Sequence, residues 1–239
     1  RMIDRLVSPL IYASNGVPLY FAYSSEKENT LFELNFNLAP SFVNNTGEFK
    51  NRKVYLESID NEGNLTTDEY SLTSSLLFSD QLDVNWMRKI GKNDSKIDLY
   101  AGGTFTQYFW FGYAAVPILV HSEISLNPKV LASWQMNENT LLKGSLSFPI
   151  ANLITRLPHS SNPVDGEHGY VFVTFKHDTK FSTLNTYQRA NFKFGIERKL
   201  NEDWSLSVDY MFNLIRYTEK YGLNSYSNSI LFTFNKKLN

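Results

Sequence analysis

Hydrophobic and polar residues alternate most regularly between Tyr187 and Arg216. The apolar positions are Ala190, Phe192, Phe194, Ile196, Trp204, Leu206, Val208, Tyr210 and Phe212, and the polar ones include Asn191, Lys193, Glu197, Ser205, Ser207, Asp209 and Asn213. Successive side chains of a strand point to opposite faces, so this pattern predicts two strands with one apolar and one polar face. The three residues 201–203 between them predict a tight turn.

The same alternation recurs along the chain. It predicts strands at residues 17–25, 30–38, 68–90, 96–107, 126–136 and 142–150, in the hairpin described above, and at the C-terminal end. Residues 1–12 predict a first strand or a plug, residues 14–16 a turn, and residues 44–67 a polar loop. Residues 151–186 predict a long segment that is irregular at its centre, with strand character at 170–176. Short turns at 26–29, 91–95, 137–139 and 201–203 alternate with longer connections, as they do in membrane barrels.

The length of the strands favours a membrane protein. Each strand of the hairpin has about ten residues, which suffices to cross a bilayer at a tilt. Trp204 and Tyr210 lie toward the two ends of the apolar stripe, where membrane barrels carry aromatic girdles. We therefore predict an all-β fold, an antiparallel up-and-down transmembrane β-barrel with short periplasmic turns and longer extracellular loops. It would form a single domain over residues 1–239 with about ten strands, eight to twelve being compatible with the pattern.

A soluble barrel or sandwich is the alternative fold, and it would bury the apolar face. The repeated large side chains of Phe192, Phe194, Phe232 and Phe234 argue against such a tapering core. The mean hydropathy of -0.31 does not decide between the two folds, because half of every barrel strand is polar. No apolar run is long enough for a spanning helix, and the start of the chain does not have the pattern of a signal peptide.

The amino-acid composition excludes some kinds of partner and chemistry. The net charge of -1 gives no reason to expect a nucleic-acid partner, and the chain has no cysteine, which excludes disulfides and thiolate chemistry. Aromatic residues make up 15% of the chain, as lipid-facing strands and girdles require.

Three features give the chain its resemblance to a family. They are the tight turns MNENT and LNEDW, the Phe-rich faces, and the terminal strand SNSILFTFNKKLN. In these the chain resembles small bacterial outer-membrane β-barrels, and its Asn, Lys, Tyr and Phe content is similar in style to Bacteroidota envelope proteins. Many such barrels end on an aromatic residue, whereas here five residues follow Phe234. The resemblance implies the bacterial outer membrane as location and outer-membrane lipid as a partner.

The predicted lumen carries both signs of charge. Its inward residues are Glu33, Asn35, Asp98, Tyr100, Lys143, Lys193, Glu197, Asp209 and Asn213. A selective pore carries one dominant sign, whereas a mixture predicts ion pairs that fill a narrow lumen.

Catalytic signals are weak. Outer-membrane lipid hydrolases use a histidine beside a serine, and His159, Ser160 and His168 have suitable chemistry for a phospholipase or lipid A deacylase. They lie in a Pro/Gly/Ser-rich segment where such residues also serve turns. Asp165 and Glu167 nearby do not complete a recognised ligand spacing, so we predict no metal site, and we expect no cofactor.

An apolar run follows residue 107. Its residues Phe109, Trp110, Phe111, Tyr113, Ile118 and Leu119 predict either an interfacial girdle or a surface that binds another outer-membrane protein. Together with the filled lumen, this run leads us to expect a non-catalytic accessory or scaffold subunit of an envelope complex. A lipid hydrolase and a narrow solute transporter are the alternatives.

Overall fold

A computed structural model describes residues 2–4, 11–45, 53–59, 63, 65–71, 75–91, 96–113, 119–156, 175–176, 178–219 and 222–237. These ranges contain fifteen strands: β1 (Met2–Asp4), β2 (Ile11–Gly16), β3 (Leu19–Lys27), β4 (Thr30–Asn45), β5 (Lys53–Ile59), β6 (Leu65–Ser71), β7 (Ser75–Lys89), β8 (Ile97–Tyr113), β9 (Leu119–Asn137), β10 (Thr140–Ser147), β11 (Ala151–Arg156), β12 (Thr179–Thr183), β13 (Tyr187–Lys199), β14 (Trp204–Tyr217) and β15 (Leu223–Lys236).

Thirteen of these strands form one curled antiparallel sheet, and β5 pairs with β6 in a separate hairpin. The order in the large sheet is β10-β13-β14-β15-β1-β2-β4-β7-β8-β9-β11-β12. β3 also pairs with β4, and β9 pairs with β10 as well as with β11, so that the sheet curls back on itself. The all-β, antiparallel architecture predicted from alternation is confirmed.

The two faces of the curled sheet have opposite character. Phe192, Phe194 and Ile196 point outward and are 42%, 48% and 44% exposed. Lys193 and Glu197, which alternate with them, point inward to line a cavity. The same holds along β4, where Phe32, Leu34 and Phe36 are exposed and the polar residues between them face inward. The faces predicted from the sequence are therefore confirmed, with the apolar set outside.

Two asparagines explain why the tight turns form where the sequence predicted them. The side-chain oxygen of Asn201 accepts the backbone N–H groups of Asp203 at 3.0 Å and Trp204 at 2.9 Å. Asn137 accepts the N–H of Asn139 at 3.0 Å in the same way. Such local bonds let asparagine stabilise a turn without a ladder partner. We call the end of the sheet that carries these turns the short-turn rim, and the opposite end the far rim.

At the far rim the strands are longer than predicted. β4 continues to Asn45 and β8 to Tyr113, and residues 14–16 belong to β2 instead of forming a turn. The predicted polar loop at 44–67 contains β5 and the start of β6, and the irregular segment at 151–186 contains β11 and β12. The predictions for residues 14–16 and 44–67 and for the end of β8 were wrong, because these stretches lack alternation and yet pair in ladders. The predicted irregular centre of 151–186 lies outside the described residues. Of the segment 170–176 only Phe175 and Lys176 are described, and they are helical.

One strand position is only partly occupied. The three-residue strand β1 lies between β15 and β2, with Met2 opposite both Ser225 and Tyr12. Toward the short-turn rim, β3 and residues 227–236 of β15 would be the next neighbours. Among the described residues, each of these two segments pairs with a strand on its other side only. We call the gap between them the seam.

Candidate functional site in the lumen

Ion pairs line the inner face of the sheet. Lys129 Nζ lies 3.1 Å from a carboxylate oxygen of Glu33 on another strand. The other pairs on the inner face are Lys193–Asp209 at 3.3 Å, Lys143–Glu197 at 2.7 Å and Lys89–Asp98 at 2.6 Å. Two of these pairs, Lys193–Asp209 and Lys143–Glu197, join members of the predicted inward set, whereas Glu33 and Asp98 pair with lysines outside that set. The paired charges offer a passing ion no surface of a single sign.

Arg189 is the centre of the most buried group. Its Nη1 donates to Glu123 Oε2 at 2.9 Å, and these two side chains are 1% and 0% exposed. Its Nη2 donates to Gln81 Oε1 at 2.7 Å, which joins β13 to β7 across the lumen. The Tyr187 hydroxyl donates to Glu123 at 2.5 Å, and the guanidinium lies 4.5 Å from the centre of the Tyr108 ring. A buried ion pair needs such further partners to offset its desolvation.

His121 lies next to this group toward the far rim. Its ring stacks on Trp110 with centroids 5.5 Å apart and meets Tyr108 edge-on. Among the described residues, neither ring nitrogen of His121 has a hydrogen-bond partner, and Oε1 of Glu123 lacks one as well. This cluster was not predicted from the sequence. Strand alternation could have indicated it, because His121 and Glu123 are two residues apart on β9 and therefore share its inner face.

The walls of the lumen differ in packing. We call the packed wall the part of β8, β9, β11 and β12 toward the far rim, together with residues 187–189 of β13. Its inward polar residues are nearly all buried; examples are Thr106, Glu123, Ser125, Asn152, Ser182 and Arg189. On β15, β1, β2 and β3, which we call the open wall, Ala22, Ser24 and Ser227 face inward and are exposed. Two cavities, of about 210 and 350 Å³, border this open wall. A third, of about 950 Å³, lies at the short-turn rim between β3 and the end of β15.

The predicted docking residues do not share one surface. Trp110 points into the lumen and is 4% exposed, whereas Phe109 and Phe111, its neighbours on β8, are half-buried. Tyr113 ends β8 and Leu119 begins β9, and Ile118 lies outside the described residues. A docking role of Phe109 and Phe111 stays a prediction.

The hydrolase residues His159, Ser160 and His168 lie outside the described residues, so their catalytic role also stays a prediction. Within the described ranges, no group of three histidine or acidic side chains is arranged to hold a metal ion. Nor does the described part of the chain contain a helix long and apolar enough to cross a membrane.

No protein-family model, curated protein or solved structure matches this chain. The function of this protein therefore has to be inferred from its sequence and from the geometry of the lumen and the outer face.

Proposed function

We propose that this chain is a transmembrane β-barrel of the bacterial outer membrane with a single domain and ten strand positions. Within that class, it acts as a non-catalytic accessory or scaffold subunit of an envelope complex. Ten positions result when β2 with β3, β10 with β11, and β12 with β13 each count as one. The partners would be outer-membrane lipid and a second membrane protein.

The main support for the membrane proposal is that the apolar face of the sheet points outward and the polar face points into the lumen. A soluble barrel buries its apolar face, whereas here Phe194 is 48% and Phe232 72% exposed while Glu123 and Arg189 are buried. Burying apolar area contributes roughly 25 cal/mol per Å², so an outer face of this kind requires an apolar environment. Lipid supplies that environment, and the polar lumen is the usual interior of such barrels.

Tryptophans support the same proposal. Trp86, Trp134 and Trp204 are exposed on the outer face, and each lies within three residues of the strand end at the short-turn rim. Outer-membrane barrels carry aromatic girdles at the interface between lipid and water. These three residues would form the girdle at the short-turn rim, which then faces the periplasm.

The scaffold role is supported by the side chains that bond to one another across the lumen. The Arg189–Gln81 bond joins opposite strands, and paired acids and bases leave no excess charge of one sign to select an ion. A side chain that bonds to both walls obstructs a transport path, so we expect the purified protein not to conduct. Planar-bilayer recording tests this, and steady single-channel currents would favour the narrow transporter.

Partner capture tests the accessory role itself. Extraction of native membranes in mild detergent should yield a membrane protein bound in a fixed ratio. The double variant Phe109→Ser/Phe111→Ser should lose this partner, while Phe181→Ser, also at the far rim and 67% exposed, should keep it. A barrel isolated alone, or one that keeps its partner in both variants, would contradict a docking surface at Phe109 and Phe111.

A further inference from the structure

The seam is one strand wide at the point where β1 enters it. There β1 pairs with β15 on one side and with β2 on the other, so a single strand fills the space between them. Along the seam β15 continues for ten residues, 227–236, to the short-turn rim. On the other side β3 continues the line of β2, because both pair with β4. The seam is thus a strand position that no described residue occupies, bounded by two strand edges.

Side chains beside the seam are more exposed than equivalent ones elsewhere. Phe232 and Phe234 on β15 are 72% and 70% exposed, and Phe21 on β3 is 64% exposed. In the middle of the sheet, outward phenylalanines with a neighbouring strand on both sides are less exposed, at 37% for Phe36 and 42% for Phe192, while Phe42 near the far rim is 63% exposed. A neighbouring strand covers part of each cross-strand side chain, and that cover is missing at the seam.

The seam cannot face lipid as an open edge. Hydrocarbon offers no partner to the unpaired N–H and C=O groups of β3 and β15, and each unsatisfied group costs several kcal/mol there. This step rests on the proposed membrane location. Only another extended backbone can satisfy both edges along their whole length, so a lipid chain or a small solute would not suffice.

We propose that the seam is filled by one further β-strand that continues β1 on its N-terminal side and runs antiparallel to both β15 and β3. Its direction follows from β1, since Met2 is the residue of β1 nearest the short-turn rim. About eleven residues are required to reach the partner of Lys236. The new interface is a continuation of the ladder that β1 already makes with β15 and β2.

The register also fixes the chemistry of this strand. Residues directly opposite each other in an antiparallel pair point to the same face. The positions opposite Ile230, Phe232 and Phe234 therefore carry apolar side chains toward lipid. The positions opposite Ser227, Ser229 and Thr233 carry small or polar side chains, which narrow the cavities along the open wall.

Hydrogen exchange tests the occupancy of the seam. The protein is purified from its own membranes into lipid nanodiscs, and the amides of β3 and β15 are compared with those of β13 and β14. We expect all four strands to exchange at similar rates, slower than unpaired amides by on the order of a hundredfold or more. If the seam-facing amides of β3 and β15 exchange as unpaired groups, the proposal is overturned even though the barrel is in lipid.

Photocrosslinking identifies the occupant. The chain has no cysteine, so Ser229→Cys can be labelled uniquely with a benzophenone maleimide. We expect an adduct with a peptide that is continuous in sequence with β1. An adduct with a phospholipid, or with a separate protein, would overturn the proposal. Ser145→Cys is the matched control, because its strand β10 already has neighbours on both sides and should yield adducts only with strands described above.

Discussion

The packed wall and the open wall of the lumen both carry polar side chains on their inner face but differ in how deeply these are buried. On the packed wall Glu123, Asn152 and Arg189 are each 3% exposed or less. Serines, an alanine and a tyrosine line the open wall, and three cavities border it. Polarity alone therefore does not decide whether this lumen is filled. Strand pairing differs in the same way. In the packed wall β8, β9 and β11 each have a ladder partner on both sides, whereas among the described residues β3 and β15 have one on a single side along the seam.

The largest effect is expected from breaking the packed wall at Arg189. Arg189→Leu leaves Glu123 charged, buried and without its cation, and should lower the free energy of unfolding by about 3–5 kcal/mol. Urea unfolding in detergent micelles measures the loss. In Arg189→Leu/Glu123→Leu both charges are removed, so this variant should recover most of the stability. Equal losses in the single and double variants would show that the ion pair is not the cause.

Two adjacent glycines give a test of how tightly the sheet is packed. A methyl group on Gly102 would collide with the backbone of Trp86 and Met87, whereas one on Gly103 would meet only a carbonyl oxygen 3.9 Å away. Backbone atoms cannot move aside cheaply, so Gly102→Ala should cost about 1–3 kcal/mol, and Gly103→Ala should cost much less. Thermal unfolding of the two variants side by side measures the difference. If both variants unfold like the parent, the close approach of β7 and β8 is wrong.

The smallest effect is expected where the lumen is open. Lys193 pairs with Asp209 and lies 5.0 Å from the centre of the Tyr20 ring, but its side chain is 32% exposed. Partly solvated pairs contribute little, so Lys193→Met should cost about 1 kcal/mol or less by the same urea assay. A loss as large as that of Arg189→Leu would mean that the lumen is as well packed around Lys193, which faces Tyr20 of the open wall, as it is around Arg189.

The alternation of apolar and polar residues predicted the strands and their faces, because the polarity of each residue in a strand matches the environment of its own side chain. Asn201 and Asn137 likewise marked the turns through bonds made within two or three residues. The far-rim strand ends and the Arg189 cluster could not be found this way. They depend on pairings such as Arg189 with Glu123, which are 66 residues apart, and on ladders that hold polar segments in extended form. The seam is a property of strand order, which alternation does not encode.

The central claim is that the apolar outer face contacts lipid. Single cysteines in the otherwise cysteine-free chain can carry spin labels at positions 191–196 of β13, in protein inserted into lipid vesicles. Collision with oxygen, which concentrates in hydrocarbon, should be high at Phe192, Phe194 and Ile196 and low at the residues between them. Collision with a water-soluble nickel chelate should be low at those same outward positions. Frequent collision of the nickel chelate with the outward positions would show that the outer face is in water and would contradict the account.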